Sequence, residues 1–330
     1  MRQRQGVFGD DHDGFDRPTG RTRPRTKDRP DYSKLVVGRV VTIDRGRYRC
    51  LVDDRQVTAA KGRSLGRKSV IVGDLVRLDG DTGGTEGTLA RIAEVLERTT
   101  VLRRSADDDD PYERPIVANA DQLVIVTALA DPPPRIGMID RILVAGFDAG
   151  IQPLLCLTKA DLAVPDDFVA AYAPLGVPIV VVQPGSDLTD LRERLAGKVS
   201  VFIGHSGVGK STLVNALIPG VDRVIGHVNQ VTGRGRHTSS SAIVLELPAP
   251  GGWVIDTPGI RSFGLSHVTQ ADVLRAFGDL AAWAEDCPRG CTHAASEPEC
   301  ALDEAVAREQ LDPARLASYR RLEHAGSAAL

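Results

Sequence analysis

The sequence predicts a multi-domain protein with an all-β N-terminal region, a central α/β domain and an α-helical C-terminal region. Three changes in the hydrophobic pattern support this division. Short apolar stretches separated by Gly and Asp turns occupy 34–102, strand-like runs alternate with amphipathic segments over 111–265, and helical periodicity dominates 266–330. The 330 residues are 42% hydrophobic and 26% charged, which excludes full-length disorder and collagen-like proteins.

The N-terminal end is basic, although the chain is nearly neutral. Residues 1–33 hold eight Lys/Arg without a periodic apolar pattern, so we expect a disordered basic tail that either solubilises the chain or folds on RNA. Residues 1–105 contain 23 Lys/Arg and 15 Asp/Glu, whereas 106–330 contain 18 and 29. This asymmetry indicates that the N-terminal end meets a polyanion.

The strand pattern of 34–102 is typical of a small β-barrel, for which the OB-fold is the common architecture. Its apolar stretches are KLVVGRVVTID, RYRCLVDD, IVGDLVRLDG and TLARIAEVLER. The segment KGRSLGRK at 61–68 has four cations in eight residues. A solvated loop would have the same composition, but the basic N-terminal third favours an RNA-binding barrel.

A phosphate-binding loop is predicted at 204–212. GHSGVGKST matches G-x-x-x-x-G-K-[ST], follows the apolar run 199–203 and precedes a helical run. Glycines let backbone N–H groups approach phosphate oxygens, and the helix N-terminus favours anions. We expect Lys210 to reach the β- and γ-phosphates and Ser211 to bind Mg²⁺. The candidate nucleotide-binding residues are Gly204, His205, Ser206, Gly207, Val208, Gly209, Lys210, Ser211 and Thr212.

The segment DTPG at 256–259 is the expected partner of this loop, since it also follows an apolar strand run. Asp256 is predicted to hold Mg²⁺ through a water molecule. Gly259 is predicted to donate its N–H to the γ-phosphate. D-x-x-G is common by itself, but a phosphate-binding loop upstream makes the pair specific.

TKAD at 158–161 resembles the N-K-x-D motif with which GTPases read guanine. Asp161 is placed to accept hydrogen bonds from the base, the stem of Lys159 would pack on the ring, and Thr158 replaces Asn. The motif normally follows the phosphate-binding loop, whereas here it precedes it. This order indicates a circularly permuted GTPase domain. The chain then leaves the domain just after DTPG, so we expect the nucleotide state to reposition the C-terminal region.

The stretch 226–242 is predicted to be the switch loop. It is polar and rich in Gly, Ser and Thr, which suits a segment that orders around the γ-phosphate. Thr238 is the expected second Mg²⁺ ligand and Thr232 the weaker alternative. The residue after DTPG is Ile260, whose aliphatic side chain cannot orient water by hydrogen bonding. We therefore expect His237 to orient the attacking water as a catalytic residue.

A metal site is predicted near the C-terminus. Cys287, Cys291, His293 and Cys300 supply three thiolates and one imidazole within 14 residues. Cys₃His is a standard tetrahedral Zn²⁺ set, and closely spaced cysteines in a reducing compartment more often bind metal than form disulfides. Four protein ligands leave no open position, so the sequence predicts one structural Zn²⁺ in an α-helical zinc-binding domain.

The sequence shows no targeting or membrane segment. The N-terminus lacks an apolar stretch that could serve as a signal, and the run 123–130 is too short to span a bilayer. Cys50 and Cys156 are isolated in apolar strand-like runs and are expected to be buried hydrophobes. We expect a cytoplasmic protein that does not contact membranes.

Together these motifs resemble the ribosome small-subunit-dependent GTPase A family (RsgA, also called YjeQ). The likeness covers about 34–325 and rests on GHSGVGKST, GRGRHTSS, DTPGI, TKAD ahead of the phosphate-binding loop, and the Cys/His cluster. It implies an N-terminal OB-fold, a circularly permuted GTPase domain and a C-terminal zinc-binding domain. It also implies Mg²⁺-dependent hydrolysis of GTP to GDP, stimulated by the small ribosomal subunit, and a late role in assembly of that subunit through rRNA. We expect a monomer.

The chain departs from the family pattern at Thr158 and at 183–186. QPGS is a poor match to the second guanine-contact loop, so no base contacts are assigned there.

Two other functions fit the motifs. A nucleotide-dependent RNA-binding protein with negligible turnover would also lack the water-orienting Gln. An ATPase is the other, and Asp161 argues against it. A zinc enzyme is disfavoured because the four ligands close the site.

Overall fold

The computed structural model of the chain describes residues 31–66, 70–105, 112–220, 242–260, 263–265 and 268–327. The chain divides into a short N-terminal unit that ends at Lys34 and a compact unit that begins at Leu35. The expectation of a disordered basic tail falls almost wholly outside the described residues and stays a prediction. No helix in the described ranges is long and apolar enough to cross a membrane.

A closed five-stranded barrel forms the first part of the compact unit. The strands pair in the order β1-β2-β3-β5-β4, and β4 pairs again with β1. All pairs are antiparallel except β3 with β5. The barrel core is apolar and includes Val40, Cys50 and Ile92. This is the predicted N-terminal OB-type barrel, with strands β1 (Val36–Asp44), β2 (Arg47–Val52), β3 (Arg55–Lys61), β4 (Leu75–Asp79) and β5 (Ala90–Val95).

Two parts of this region differ from the sequence prediction. No apolar stretch predicted β3, because Val57 and Ala59 are its only fully buried apolar residues. The charged composition of 99–114 predicts a linker, but this segment contains β6 (Val101–Arg104), which pairs with β7 (Arg114–Ala118). The linker expectation is wrong there because Leu102 is completely buried under its charged neighbours.

The central region is an α/β layer built on six strands. They lie in the order β10-β9-β8-β11-β13-β12, and only β12 runs antiparallel to its neighbour. Helices cover both faces, which explains the continuous apolar runs of the strands. The strands are β8 (Gln122–Ala128), β9 (Gln152–Thr158), β10 (Ile179–Val181), β11 (Val199–Ile203), β12 (Ile243–Glu246) and β13 (Trp253–Asp256), and the helices are α1 (Ile136–Asp148), α2 (Asp166–Tyr172), α3 (Thr189–Leu195) and α4 (Lys210–Leu217).

The spacing of Ile136, Ile139, Leu143 and Phe147 predicts an amphipathic helix over 135–150 that ends at Gly150, and α1 follows this pattern with one exception. Ile139 and Leu143 are buried against the sheet, and Gly150 adopts φ +67° just past the helix end. Ile136 was expected on the same buried face but is 43% exposed. It is the first residue of the helix, and its side chain therefore lies at the edge of the core.

Among the described residues, strand pairing and a close backbone approach join the barrel to the α/β layer. Thr42 of β1 pairs with Ile243 of β12, so one sheet continues from the barrel into the layer. Gly73 adopts φ +89°, and a Cβ there would lie 2.1 Å from the Ala118 carbonyl oxygen. The side-chain amide of Asn119 donates to the Gly73 carbonyl at 3.0 Å. Close backbone approach therefore requires glycine at this junction.

The C-terminal region is helical, as predicted. The run DVLRAFGDLAAWAED at 272–286 predicts one helix, but this helix is interrupted at the buried Phe277, which is the N-cap residue of the next helix. In the last helix Asp312 accepts a hydrogen bond from the Ala314 N–H at 2.8 Å, with Pro313 in the first position, as the sequence predicts. The helices are α5 (Gln270–Arg275), α6 (Gly278–Ala284), α7 (Ala301–Ala307) and α8 (Pro313–Ser327).

Candidate functional site

The glycine-rich loop turns tightly between the end of β11 and the start of α4. Gly207 and Gly209 adopt φ +87° and +88°, in the region that favours glycine. A Cβ on Gly204 would lie 2.3 Å from the Val126 carbonyl oxygen, so the loop also passes close to the neighbouring strand. The loop thus has the conformation in which backbone N–H groups and the N-terminus of α4 can surround a phosphate.

DTPG contacts this loop directly. The Lys210 ammonium donates to Asp256 Oδ1 at 2.6 Å and to the Thr257 carbonyl, and both charged groups are buried. The Ile260 N–H donates to the Gly204 carbonyl at 3.2 Å. A side chain on Gly259 would lie 3.2 Å from the backbone of the glycine-rich loop. The sequence reasoning placed these motifs at one site, and the structure brings them together.

TKAD joins the same site through Thr158, the residue at which the motif departs from N-K-x-D. The buried Thr158 hydroxyl donates to the Val208 carbonyl of the glycine-rich loop at 2.6 Å. Lys159 adopts φ +58° and donates to the Asp131 carbonyl, while Asp161 is exposed. Thr158 therefore connects TKAD to the glycine-rich loop, a contact that the sequence did not predict.

Three motifs thus meet at the carboxyl ends of β9, β11 and β13, where ligands bind in parallel α/β sheets. The predicted switch residues His237 and Thr238, and the alternative Thr232, lie outside the described residues. Their roles as water-orienting group and Mg²⁺ ligand stay predictions.

The four predicted metal ligands lie together in the C-terminal region. The ligand atoms of Cys287, Cys291, His293 and Cys300 lie within 4.8 Å of one another. The His293 Nδ1 is 3.5 Å from the first two sulfurs and 3.8 Å from the third. Zn–S and Zn–N bonds of about 2.3 and 2.0 Å at tetrahedral angles require S···N distances of about 3.5 Å. The cluster therefore fits a tetrahedral ion and could hold a metal.

The surroundings of His293 favour metal binding. Burial lowers the pKa of His293, with the nearby Arg320 cation as a second cause. This keeps the imidazole neutral, as ligation requires. Arg320 of α8 also donates to the His293 carbonyl at 2.8 Å and pairs with Asp303 at 2.7 Å. Sequence reasoning missed Arg320, because a lone arginine in a helix gives no local signal of such a contact.

Comparison with known proteins decides the family. A model of the RsgA GTPase family matches residues 95–266. The chain belongs to the RsgA GTPase family. It is therefore a GTP hydrolase, which confirms the predicted enzyme class.

Relatives and solved structures agree with RsgA membership. The small ribosomal subunit biogenesis GTPase RsgA of Pseudomonas aeruginosa strain PAO1 is 42% identical over 248 residues, which is 72% of this chain and 71% of that protein. The RsgA protein of Ectopseudomonas mendocina is 45% identical over the same length and coverage.

Two crystal structures share the fold. YjeQ from Thermotoga maritima is 26% identical, with a TM-score of 0.64 over 88% of this chain and 98% of that one. YloQ, described as a circularly permuted GTPase, is 25% identical, with a TM-score of 0.64 over 90% and 96%. These likenesses confirm the permuted GTPase fold.

Proposed function

We propose that this protein hydrolyses GTP during late assembly of the small ribosomal subunit and that the subunit stimulates the reaction. The observation that carries the proposal is the convergence of the glycine-rich loop, DTPG and TKAD around the buried pair of Lys210 and Asp256. The relatives that match most of the chain are named for small-subunit biogenesis.

The triphosphate binds over the glycine-rich loop. The backbone N–H groups of 204–212 and the N-terminus of α4 hold the phosphate oxygens, and the Lys210 ammonium lies between the loop and DTPG, where it meets the β- and γ-phosphates. Gly259 donates its N–H to the γ-phosphate. A Cβ at Gly259 would lie 3.2 Å from the Ser206 backbone, so a side chain there would crowd the glycine-rich loop.

Magnesium fits the oxygen donors at this end of the sheet. Ser211 follows Lys210 at the start of α4, and the Asp256 carboxylate lies 2.6 Å from the Lys210 ammonium. One hydroxyl and one carboxylate suit a hard cation that keeps several waters and bridges phosphate oxygens. Ser211 and Asp256 would hold Mg²⁺, with Thr238 as a further ligand, and the ion would neutralise charge that develops on the phosphates.

Guanine is read by TKAD. Asp161 is exposed and free to accept from the base N–H groups, and the stem of Lys159 provides an apolar surface for the ring. Thr158 supports the position of TKAD, because its hydroxyl bonds this motif to the glycine-rich loop. The loop at 183–186 is closed on itself by the Ser186 hydroxyl, which donates to the Gln183 carbonyl at 2.9 Å.

Water activation requires a group other than the residue after DTPG. Ile260 is buried and aliphatic, so it cannot orient water. We assign this role to His237 of the switch loop. The small subunit would fix that loop, so the free enzyme would be slow. His237→Ala should then lose stimulated turnover, and full stimulated turnover in this variant would refute the assignment.

The barrel would bind rRNA, and the C-terminal region would bind zinc. The barrel carries exposed cations on its strands and turns, among them Arg47, Arg49 and Arg55, which suits contact with rRNA phosphates. The Cys₃His cluster would hold one structural Zn²⁺ that fixes the C-terminal loops. The protein would act in the cytoplasm as a monomer.

Phosphate release from GTP, measured with and without purified small subunits, tests the proposal. We expect strong stimulation by small but not large subunits, and no stimulation of Lys210→Ala. Equal rates with and without small subunits would contradict stimulation by the subunit and would indicate a GTPase with a different activator. Competition with ATP, which should not reduce the rate, separates a GTPase from an ATPase.

A further inference from the structure

The backbone just after DTPG is held by two contacts from distant parts of the chain. The Arg141 guanidinium of α1 donates through Nε to the Phe263 carbonyl at 2.6 Å. The Ser105 N–H, just after β6, donates to the Gly264 carbonyl at 3.1 Å. Phe263 and Leu265 are both buried. These contacts therefore fix the position of the backbone at Phe263 and Gly264, which begin four residues after Gly259.

The residue next to Arg141 connects the same helix to the C-terminal region. Asp140 is 2% exposed and accepts from the Tyr172 hydroxyl at 2.9 Å and from Arg321 Nε of α8 at 3.1 Å. The Arg321 guanidinium also lies 4.9 Å from the centre of the Tyr172 ring. A buried carboxylate with an arginine and a hydroxyl partner is a strong directional contact, because loss of one partner leaves a buried charge.

Helix α8 also contacts the Cys/His cluster. Arg320, the neighbour of Arg321, donates to the His293 carbonyl and pairs with Asp303. Two adjacent pairs of residues therefore join three places. Asp140 and Arg141 of α1 connect the backbone after DTPG to α8. Arg320 and Arg321 of α8 connect α1 to the Cys/His cluster.

We propose that Arg141 is a positioning residue for GTP hydrolysis. It holds the backbone after DTPG in the conformation that hydrolysis needs, and it is connected through Asp140 and Arg321 to the Cys/His cluster. This inference rests on the proposed function. Arg141 bonds to the carbonyl of Phe263, outside the three nucleotide-binding motifs. Its loss should therefore slow the hydrolytic step and leave GTP and GDP affinity unchanged.

Arg141→Met removes the guanidinium and keeps much of the apolar stem. Arg141→Lys weakens the bond without leaving a cavity. Arg192→Met is the matched control, because Arg192 also donates to a backbone carbonyl of the same layer, that of Ala216 at 2.9 Å, away from DTPG. The readouts are kcat and KM for GTP with small subunits, the affinity for a fluorescent GDP, and the melting temperature.

We expect kcat to fall about 10-fold in Arg141→Met and about 3-fold in Arg141→Lys, with KM and GDP affinity within about 2-fold of wild type. Arg192→Met should keep the wild-type kcat. Wild-type kcat in a folded Arg141 variant, an equal loss in the control, or a loss that appears in KM and GDP affinity would overturn the proposal. If Arg141→Met does not fold, Arg141→Lys decides by the same criteria.

A double-mutant cycle tests the connection to α8. Arg321→Met alone should lower kcat about 3-fold, and the double variant should lose about 10-fold, no more than Arg141→Met alone. A loss of about 30-fold would mean independent effects and would overturn the connection. Absence of Lys210-dependent stimulation in the wild type would instead refute the proposed function, so the two failures can be distinguished.

Discussion

The nucleotide site and the Cys/His cluster are assembled in opposite ways. The nucleotide site takes residues from 158–161, 204–212 and 256–259, which the carboxyl ends of three strands bring together. The cluster takes all four ligands from one stretch of 14 residues. The first site therefore exists only when the whole sheet is formed, whereas the second is built from local loops and could hold a metal ion.

The largest expected effect comes from removing one residue of the locally assembled Cys/His cluster. Structural zinc contributes about 10–16 kcal/mol of apparent binding free energy in small domains. Cys300→Ser should abolish stoichiometric zinc in the purified protein and release α8, measured by metal analysis and by amide hydrogen exchange of 313–327. Fluorescent-GDP affinity should stay within about 2-fold of wild type. Loss of GDP binding in this variant would show that the two sites are not assembled independently.

The next effect concerns the site that depends on the whole sheet. Lys210→Ala should lower stimulated GTP hydrolysis by about 100-fold or more, because the cation that the glycine-rich loop presents to Asp256 and Thr257 of DTPG is lost. Lys198→Ala, a lysine at the opposite edge of the sheet, is the matched control and should keep the wild-type rate. Similar rates for Lys210→Ala and wild type would contradict the assignment of this site.

Thr158 tests how tightly the motifs depend on one another. Thr158→Val should cost about 1–3 kcal/mol of unfolding free energy and should weaken GDP binding, because the Val208 carbonyl loses its buried donor. Chemical denaturation and GDP titration measure the two effects. Thr189→Val removes an exposed hydroxyl bond to Asp187 and should cost less than about 0.5 kcal/mol. Equal costs would show that the Thr158 contact has no special role.

The smallest effect concerns a surface pair of the C-terminal region. The hydrogen bond from Arg315 holds the pKa of Asp279 below its usual value. The pair therefore stabilises the fold above about pH 4 and loses this contribution as the pH falls through the lowered pKa. Asp279→Asn should cost less than about 1 kcal/mol at pH 7, since Asp279 is 48% exposed. The difference from wild type should vanish in acid. A difference that persists at pH 2 would contradict this explanation.

The sequence identified the motifs that the structure brings together at the strand ends, and the Cys and His residues that it clusters, because each pattern is constrained locally. Glycines at fixed spacing are required by the phosphate-binding turn, and Cys and His types are required by the metal. It missed β3, in which few residues are apolar, and it treated β6 as part of a charged linker because Arg103 and Arg104 mask the buried Leu102.

The contacts that join the regions could not be predicted in this way. Arg141 and Phe263 are 122 residues apart, and Arg321 and Asp140 are 181 residues apart. An arginine that pairs with a distant carbonyl or carboxylate has the same local sequence as one on a solvated helix face. The packing of α8 on α1 gives Arg321 its partner, and the position of the backbone after DTPG beside α1 gives Arg141 its partner.

We propose that the nucleotide state repositions the C-terminal region and so changes the affinity for the small subunit. Co-sedimentation of the wild-type protein with purified small subunits, in a non-hydrolysable GTP analogue or in GDP, tests it most directly. We expect binding at least about 10-fold tighter with the GTP analogue, a coupling typical of two-state proteins. Equal affinity with both nucleotides would contradict the claim.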